Sequence, residues 1–298
     1  MTAHVVWHQS CSLHDPGPGH PESPSRVDTI VAKLQSPSFR AAIEWHEARP
    51  AKMVHLLAVH AQDYLKHLQE VAARGGGWLD ADTGTNRHSY EAAIHAAGAA
   101  IDATRLALAG SAAFALVRPP GHHAARDRAM GFCLINNVVV AAHWALSAGL
   151  QRILIIDWDV HHGNGTQALV ERDARIRYVS LHQWPLYPGS GLKEERGVGN
   201  VFNLPRPPGL PRERYVTDLD AAVDQATSGW MPELILISAG FDGMASDPLA
   251  GFTLEPSDYA AWVSRWRALG SPIASVLEGG YVPHRIAEAA AAHLTALA

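Results

Sequence analysis

One short segment of this sequence concentrates side chains that bind metals. The segment 153–167, ILIIDWDVHHGNGTQ, places two acids, two histidines and an amide directly after four aliphatic residues. In an extended segment, Asp159 and His161 point to the same side and can reach one ion. Catalytic zinc sites use three protein ligands, and Asp242 is the natural third ligand because it follows another apolar run. The alternative is a hydrogen-bonded Asp159–His161 pair without a metal.

Two adjacent histidines, His122 and His123, follow the sequence RPPG. An imidazole beside a metal can act as a general base because its pKa lies near neutral pH. Each ring needs a partner that fixes its tautomer, and Asp157 and Asn164 are available. A carboxylate raises the pKa of its histidine, whereas an amide orients the ring without this effect. A lone buried histidine is more often structural, but an adjacent pair favours chemistry.

Tyr281 follows two glycines at the end of a further apolar run. The glycines permit a close backbone approach, so the phenol can be aimed at the metal and can stabilise a developing oxyanion. A packing role is the alternative for a tyrosine at this position. Metal, base and oxyanion donor together indicate metal-assisted amide hydrolysis.

Apolar runs alternate with longer alanine-rich segments, which predicts strands that alternate with helices. The predicted strands are 4–8, 114–120, 153–157, 177–182, 234–240 and 273–280. The predicted helices are 26–34, 62–73, 89–109, 137–148, 212–227, 257–268 and 284–297. The predicted surface loops are 15–24, 74–84, 185–211 and 243–256. This pattern predicts an α/β fold with a mostly parallel sheet, in one domain over residues 1–298. The polar residues follow the strands and would meet at the carboxyl edge of the sheet, where such folds bind ligands.

The composition excludes several other classes of protein. The net charge of −5 argues against a general nucleic-acid partner. Two cysteines, Cys11 and Cys133, make a disulfide framework or a cysteine zinc site improbable. The N-terminal residues do not have the pattern of a signal peptide, and the apolar region 92–117 is interrupted by charges, so no membrane span is predicted. The expected location is the cytoplasm.

Six motifs, in their order and spacing, resemble the histone deacetylase family. They are RPPGHHA (118–124), GFC followed by NN (131–137), DWDVHHGNGTQ (157–167), VSLHQ (179–183), SAGFD (238–242) and LEGGY (277–281). HPESPSR (20–26) resembles the N-terminal signature of that family. The resemblance covers most of the chain and implies a three-layer α/β/α domain of the arginase/deacetylase type, with about eight strands. Asn164 and the form LEGGY resemble the class II branch, which includes bacterial deacetylase-like amidohydrolases.

The resemblance also implies roles for individual residues. One catalytic zinc ion would be bound by Asp159, His161 and Asp242. His123, paired with Asn164, matches the general base and acid, and His122, paired with Asp157, matches its electrostatic partner. Tyr281 matches the oxyanion donor, and its presence predicts real activity. A structural potassium ion would be bound, partly through backbone carbonyls, by Asp157, Asp159, His161, Ser180 and Leu181.

The family binds acyl-lysine in a narrow apolar channel. The residues that match it are Phe132, Tyr187, Leu249, Asp82, Gly131 and Gly280. Tyr187 stands where a phenylalanine is usual, and Asp82 matches the rim acid that holds the substrate backbone. Leu249 stands where polyamine-selective relatives carry an acid, which favours an acyl-lysine or a neutral amide over a polyamine.

The predicted function is therefore zinc-dependent removal of acetyl or other acyl groups from lysine side chains. The expected partner is an acylated lysine peptide or a small acyl-amine, and a homo-oligomer is left open. The alternatives are an acetylpolyamine or small-molecule amide deacetylase and a non-catalytic acyl-lysine binding module. A dinuclear manganese hydrolase of the arginase type should need more carboxylates. The oxygen-rich donor set also leaves iron or cobalt open, and His162 is assigned to structural support.

Overall fold

The computed structural model describes residues 2–39 and 42–298. The strands are β1 (Ala3–Trp7), β2 (Ile43–Glu47), β3 (Gly76–Trp78), β4 (Gly84–Asn86), β5 (Ala113–Ala115), β6 (Ile153–Asp157), β7 (Ile176–Gln183), β8 (Val201–Arg206), β9 (Leu234–Ala239) and β10 (Ile273–Leu277). The helices are α1 (Ser10–Leu13), α2 (Ser25–Leu34), α3 (Met53–Leu57), α4 (Gln62–Ala73), α5 (Ser89–Leu108), α6 (Asn137–Ser147), α7 (Asn164–Val170), α8 (Arg212–Thr227), α9 (Pro256–Arg267) and α10 (Pro283–Leu297).

Eight strands form one parallel sheet, in the order β2-β1-β5-β10-β9-β6-β7-β8. The four central strands are buried along their whole length, as expected for strands that helices cover on both faces. Helix α5 packs on β1, β5 and β10, and α8 packs on β7 and β8. The α/β class and the eight-stranded parallel sheet are thus confirmed.

The loop after β6 is anchored in the core by Trp158. Its indole is 1 % exposed, stacks on Trp262 with ring centroids 5.7 Å apart, and lies 5.8 Å from Trp266. The alternate residues, Asp159 and His161, contact each other and lie away from this aromatic cluster. The same short segment is therefore held by the core through one set of side chains and presents polar groups through the other.

The helix predictions are confirmed to within one residue at each end, but the strand predictions missed both edges of the sheet. Strand β2 was not predicted at all, and β8 lies inside the predicted loop 185–211. β2 has only partly exposed and exposed residues, and β8 mixes buried with partly exposed ones, so both strands lack the continuous apolar run of a central strand. The hairpin β3–β4 begins inside the predicted loop 74–84. The short helices α1, α3 and α7 were missed too, because so few residues carry little periodicity.

Two predicted strands are shorter than expected. The strand predicted over 114–120 ends at Ala115, and Pro119 and Pro120 beyond it have no N–H to donate to a neighbouring strand. The strand predicted over 273–280 ends at Leu277, and its last residues turn into the site described below. Within the described residues, no helix is both long and apolar enough to cross a bilayer.

Candidate metal centre and active site

Three buried side chains from the ends of β6 and β9 form what we call the central cluster: Asp159, His161 and Asp242. His161 Nδ1 lies 3.1 Å from Asp159 Oδ1 and 3.1 Å from Asp242 Oδ2. The segment is bent rather than extended, because Asp159 Oδ1 accepts the backbone N–H of His161 at 2.9 Å. The expected extended geometry was therefore wrong, although both side chains do converge with Asp242.

Backbone groups hold the remaining carboxylate oxygens of the central cluster. Val160 N–H donates to Asp242 Oδ1 at 2.9 Å, and Gly279 N–H donates to Asp159 Oδ2 at 2.8 Å. Gly279 leaves no room for a side chain, because a Cβ there would clash with Asp242 and lie 2.6 Å from Asp159 Oδ2. These contacts fix the orientation of both carboxylates before any ion binds.

The electrostatics of the central cluster suit a divalent cation. Burial and the nearby charge of Asp159 raise the pKa of Asp242 to about 7. Burial lowers the pKa of His161, but its bonds to both carboxylates outweigh burial and raise the value to about 10. One imidazole nitrogen and two carboxylate oxygens, buried and convergent, are a donor set that fits zinc.

His122 is paired with Asp157, the last residue of β6. Its Nδ1–H donates to Asp157 Oδ2 at 3.1 Å, and the Tyr178 hydroxyl donates to the same oxygen at 2.9 Å. Its other nitrogen lies 3.7 Å from Asp159 Oδ1. Burial opposes a charge on His122, but the carboxylates of Asp159 and Asp157 outweigh it and hold the pKa well above its usual value.

His123 is paired with Asn164, the first residue of α7. Its Nδ1–H donates to Asn164 Oδ1 at 2.8 Å, and Asn164 Nδ2–H donates in turn to Met130 Sδ at 3.3 Å. The bond to sulfur orients the amide, so its oxygen faces the imidazole. Burial, followed by the charges of His122 and His161, holds the pKa of His123 well below its usual value. The two adjacent histidines therefore differ in charge, as their different partners predict.

Tyr281 lies between a carboxylate and a guanidinium group. Its backbone N–H donates to Asp247 Oδ2 at 2.8 Å, and the Arg26 guanidinium carbon is 5.1 Å from the centre of its ring. Burial raises the pKa of the phenol well above its usual value, although Arg26 opposes the shift. The hydroxyl therefore keeps its proton at neutral pH and can donate it in a hydrogen bond.

A cavity of about 210 Å³ joins these groups to the surface. His123, His161 and Tyr281 line it. Of the predicted channel residues, the cavity contains Asp82, Gly131, Phe132, Tyr187 and Leu249. Phe132 packs edge-on against Tyr281 with ring centroids 5.9 Å apart, and Tyr187 packs edge-on against His123 at 5.2 Å. The aromatic rings of both Phe132 and Tyr187 thus form part of the cavity wall.

The sequence is similar to that of known proteins over most of its length. Residues 20–297 match the family model described as the histone deacetylase domain. A probable deacetylase of Archaeoglobus fulgidus is 36 % identical over 294 residues, which cover 94 % of this chain and 82 % of that protein. A histone deacetylase-like amidohydrolase of Pseudomonas aeruginosa is 37 % identical over 276 residues, which cover 88 % of this chain and 73 % of that protein.

The chain belongs to the histone deacetylase family. A crystal structure of the HDA15 HD domain shares 34 % identity with it and superposes with a TM-score of 0.95, over 99 % of this chain and 88 % of that one. This likeness confirms the predicted arginase/deacetylase fold. The family and its relatives support hydrolytic deacetylase activity in general, with acyl-amine or acetyl-lysine substrates.

The position of Gly280 differs from the channel position that the family resemblance implies for it. It does not line the cavity; instead its carbonyl accepts a hydrogen bond from Arg26 Nε, and a Cβ on it would lie 2.5 Å from Ile286. Leu186 lines the cavity in its place, although sequence reasoning gave it no role. Its position directly before Tyr187 is the signal that could have identified it.

Two further residues of this deacetylase were missed, although both lie inside quoted motifs. Glu278 of LEGGY is fully buried and accepts the backbone N–H groups of Gly121 at 2.6 Å and His122 at 3.1 Å. Arg26 of HPESPSR is fully buried and donates to the carbonyls of Glu278 and Gly280. For Glu278, a charged residue directly after an apolar run was the available signal, because burial of such a group requires partners.

The remaining residues that the sequence singled out are Ser180, Leu181 and His162. Ser180 and Leu181 belong to β7, which pairs with β6 on the side away from β9. Ser180 is the register partner of Asp157, and its Oγ is 2.9 Å from His182 Nδ1; Leu181 is buried beside it. His162 is held at both ring nitrogens, by Ser190 Oγ at 2.8 Å and Gln167 Oε1 at 2.9 Å. These two bonds support the structural part that the sequence assigned to His162.

Proposed function

We propose that this protein is a zinc-dependent amidohydrolase that removes acetyl or other acyl groups from lysine side chains. One observation carries the proposal: His161 of the central cluster, the amide-paired imidazole of His123 and the protonated phenol of Tyr281 all line a single cavity. A cavity lined by aromatic rings suits the alkyl chain of lysine, and its lining brings together a candidate metal ligand, a base and a hydroxyl donor.

Asp159, His161 and Asp242 would hold the zinc ion. A zinc ion bound there supplies Lewis acidity, which polarises an acyl carbonyl and lowers the pKa of water. The backbone bonds from Val160 and Gly279 keep both carboxylates aimed at one point. The ligands therefore need little rearrangement when the ion binds.

His123 is proposed as the general base and acid. Its Nδ1–H is bound to Asn164, so Nε2 is the nitrogen free to take a proton from the attacking water. The lowered pKa keeps the ring neutral before the reaction, as a base requires. The same nitrogen then returns the proton to the leaving amine. His122, paired with Asp157, stays charged and stabilises negative charge as it develops.

Tyr281 is proposed as the oxyanion donor. The raised pKa of its phenol keeps the proton available for a hydrogen bond to the carbonyl oxygen during attack. Arg26 and Asp247 fix the ring and the backbone of Tyr281 in place. Donation by a group already in position needs no rearrangement at the moment of reaction.

The Tyr281→Phe enzyme tests this proposal. Turnover of an acetyl-lysine peptide should fall about 10²–10³-fold, as for the loss of one oxyanion donor. Zinc content should stay unchanged, because the phenol is not a metal ligand. Tyr187→Phe is the matched control. It removes a hydroxyl from another tyrosine of the cavity lining and should keep most activity. Near-normal turnover in Tyr281→Phe, with zinc bound, would refute the role. Bound zinc with no hydrolysis of any acyl amide by the native enzyme would favour a binding module instead.

The proposed substrate class depends on the charge of the residues that line the cavity. Leu249 lines it and carries no charge, so it offers nothing to a second ammonium group of a polyamine. The native enzyme should prefer acyl-lysine peptides over acetylated polyamines in a side-by-side assay. Leu249→Glu should shift the ratio of kcat/KM towards the polyamine, whereas Leu249→Met should not. A native preference for polyamines would contradict the proposed substrate.

We also propose a structural potassium ion, bound by Asp157, Asp159, His161, Ser180 and Leu181. All five residues are buried on neighbouring strands or the adjoining loop. A class II relationship, based on Asn164 as the partner of His123, and a single catalytic domain over residues 1–298 belong to the same proposal.

A further inference from the structure

A second group of side chains that could bind a metal ion lies at the β2 edge of the sheet. His4 belongs to β1, and Glu44 and His46 belong to β2, the terminal strand. His4 is in register with Glu44, and Val6 is in register with His46. Register partners of parallel strands share a face, as do residues two apart on one strand. The three side chains, which we call the edge cluster, therefore project from one face of the sheet.

The ligand atoms of the edge cluster are close enough to share an ion. His4 Nδ1 lies 2.9 Å from His46 Nε2, and Glu44 carboxylate oxygens lie 3.8 Å from His4 Nδ1 and 3.6 Å from His46 Nε2. Tetrahedral bonds of the length found in zinc sites place ligand atoms roughly 3.3 Å apart. Each separation differs from this value by about 0.5 Å or less, which small side-chain rotations can supply.

The chemistry and the exposure of the edge cluster both suit metal capture. Two imidazoles and one carboxylate are the donor set of known three-ligand zinc sites, which keep a fourth position for water. The side chains of His4, His46 and Glu44 are 13 %, 27 % and 58 % exposed, so an ion can reach them from solvent. We propose that His4, Glu44 and His46 bind a divalent transition-metal ion, such as zinc, at a second site.

This site is separate from the central cluster. Strand β9, which leads to Asp242, is three strands away from β1. At about 4.8 Å for each strand, that separation is about 14 Å within the sheet alone. The ion would add a side-chain link between β2 and β1 to the backbone ladder and to the Trp7–Trp45 contact that already join these strands. A ligand that binds only the folded protein stabilises it, so the expected role is structural.

Equilibrium dialysis with zinc tests the proposal on the full chain. Metal-free protein is dialysed against buffered zinc in the micromolar range, and bound metal is measured for each chain. The native protein should bind two ions, and His46→Ala and Glu44→Gln should each bind one. His67→Ala, which removes an exposed histidine of α4, is the matched control and should still bind two.

Two further readouts separate this site from the catalytic one. Added zinc should raise the melting temperature further in the native protein than in His46→Ala, while deacetylase turnover stays equal in the two. Circular dichroism checks that both edge variants fold. The same number of bound ions in the native protein and in both edge variants would overturn the proposal and leave His4 and His46 as a hydrogen-bonded pair.

Discussion

The central cluster and the edge cluster hold three ligand atoms at similar separations, yet their surroundings differ. In the central cluster, the carboxylate oxygens that do not face His161 are held by the backbone of Val160 and Gly279. In the edge cluster, Glu44 is 58 % exposed and approaches each imidazole no closer than 3.6 Å. The backbone groups that hold the carboxylates thus distinguish a preorganised site from an adaptable one. Loss of such outer bonds typically costs 10–100-fold in metal affinity.

The largest effect is expected from a ligand of the central cluster. Asp242→Asn keeps the shape of the side chain but removes its charge. A bound metal ion stabilises the transition state by several kcal/mol, and about 1.4 kcal/mol corresponds to a tenfold change in rate. Loss of the ion should therefore lower kcat/KM by about 10³-fold or more. Metal analysis should find one zinc ion remaining, at the edge cluster. Asp224→Asn, at an exposed carboxylate of α8, should change neither value. Retained activity in Asp242→Asn would exclude Asp242 as a ligand.

A smaller effect is expected when the ligands stay but their support is disturbed. Gly279→Ala places a methyl group against the carboxylates of Asp159 and Asp242. Zinc affinity at the central cluster should fall about 10–100-fold, as for the loss of outer-sphere support. The edge cluster of the same protein is an internal control, since its zinc affinity should not change. Unchanged central affinity would show that preorganisation does not separate the two sites.

The smallest effect on activity is expected when metal is removed from the edge cluster alone. Among the described residues, no outer group donates a hydrogen bond to the carboxylate of the edge cluster, so this cluster should release zinc first. Dialysis against graded EDTA should remove one ion with little change in turnover, and the second ion with complete loss. Bound zinc and turnover are measured on the same samples. A proportional fall of turnover with the first ion would reverse the order of the two sites.

Prediction from sequence succeeded where a signal is local and continuous. The central strands β6 and β9 are unbroken apolar runs, and the seven long helices show clear periodicity. The edge strands β2 and β8 mix polar and apolar residues, so no local pattern distinguishes them from loops. Their placement depends on pairing with β1 and β7, which a local pattern does not contain.

The candidate site shows the same division. Asp159 and His161 are neighbours in sequence, and the motif around Asp242 is distinctive. The contacts of Arg26 with Gly280, and of Gly279 with Asp159, join residues more than 100 positions apart. No spacing rule reports such contacts, which is why Gly280 was assigned to the channel and Glu278 received no role. The edge cluster went unnoticed because His4 and His46 meet only through the register of β1 and β2.

The anchoring of Trp158 in the core has a consequence for motion. The N–H groups of Val160 and His161 both donate to ligand carboxylates, while Trp158 is packed among tryptophans in the core. Opening this segment would require the aromatic core to separate, so its amides should exchange with solvent only when the whole protein unfolds. The backbone amides of this segment, which carries two of the proposed metal ligands, then belong to the slowest-exchanging part of the molecule, although the segment lies outside any strand.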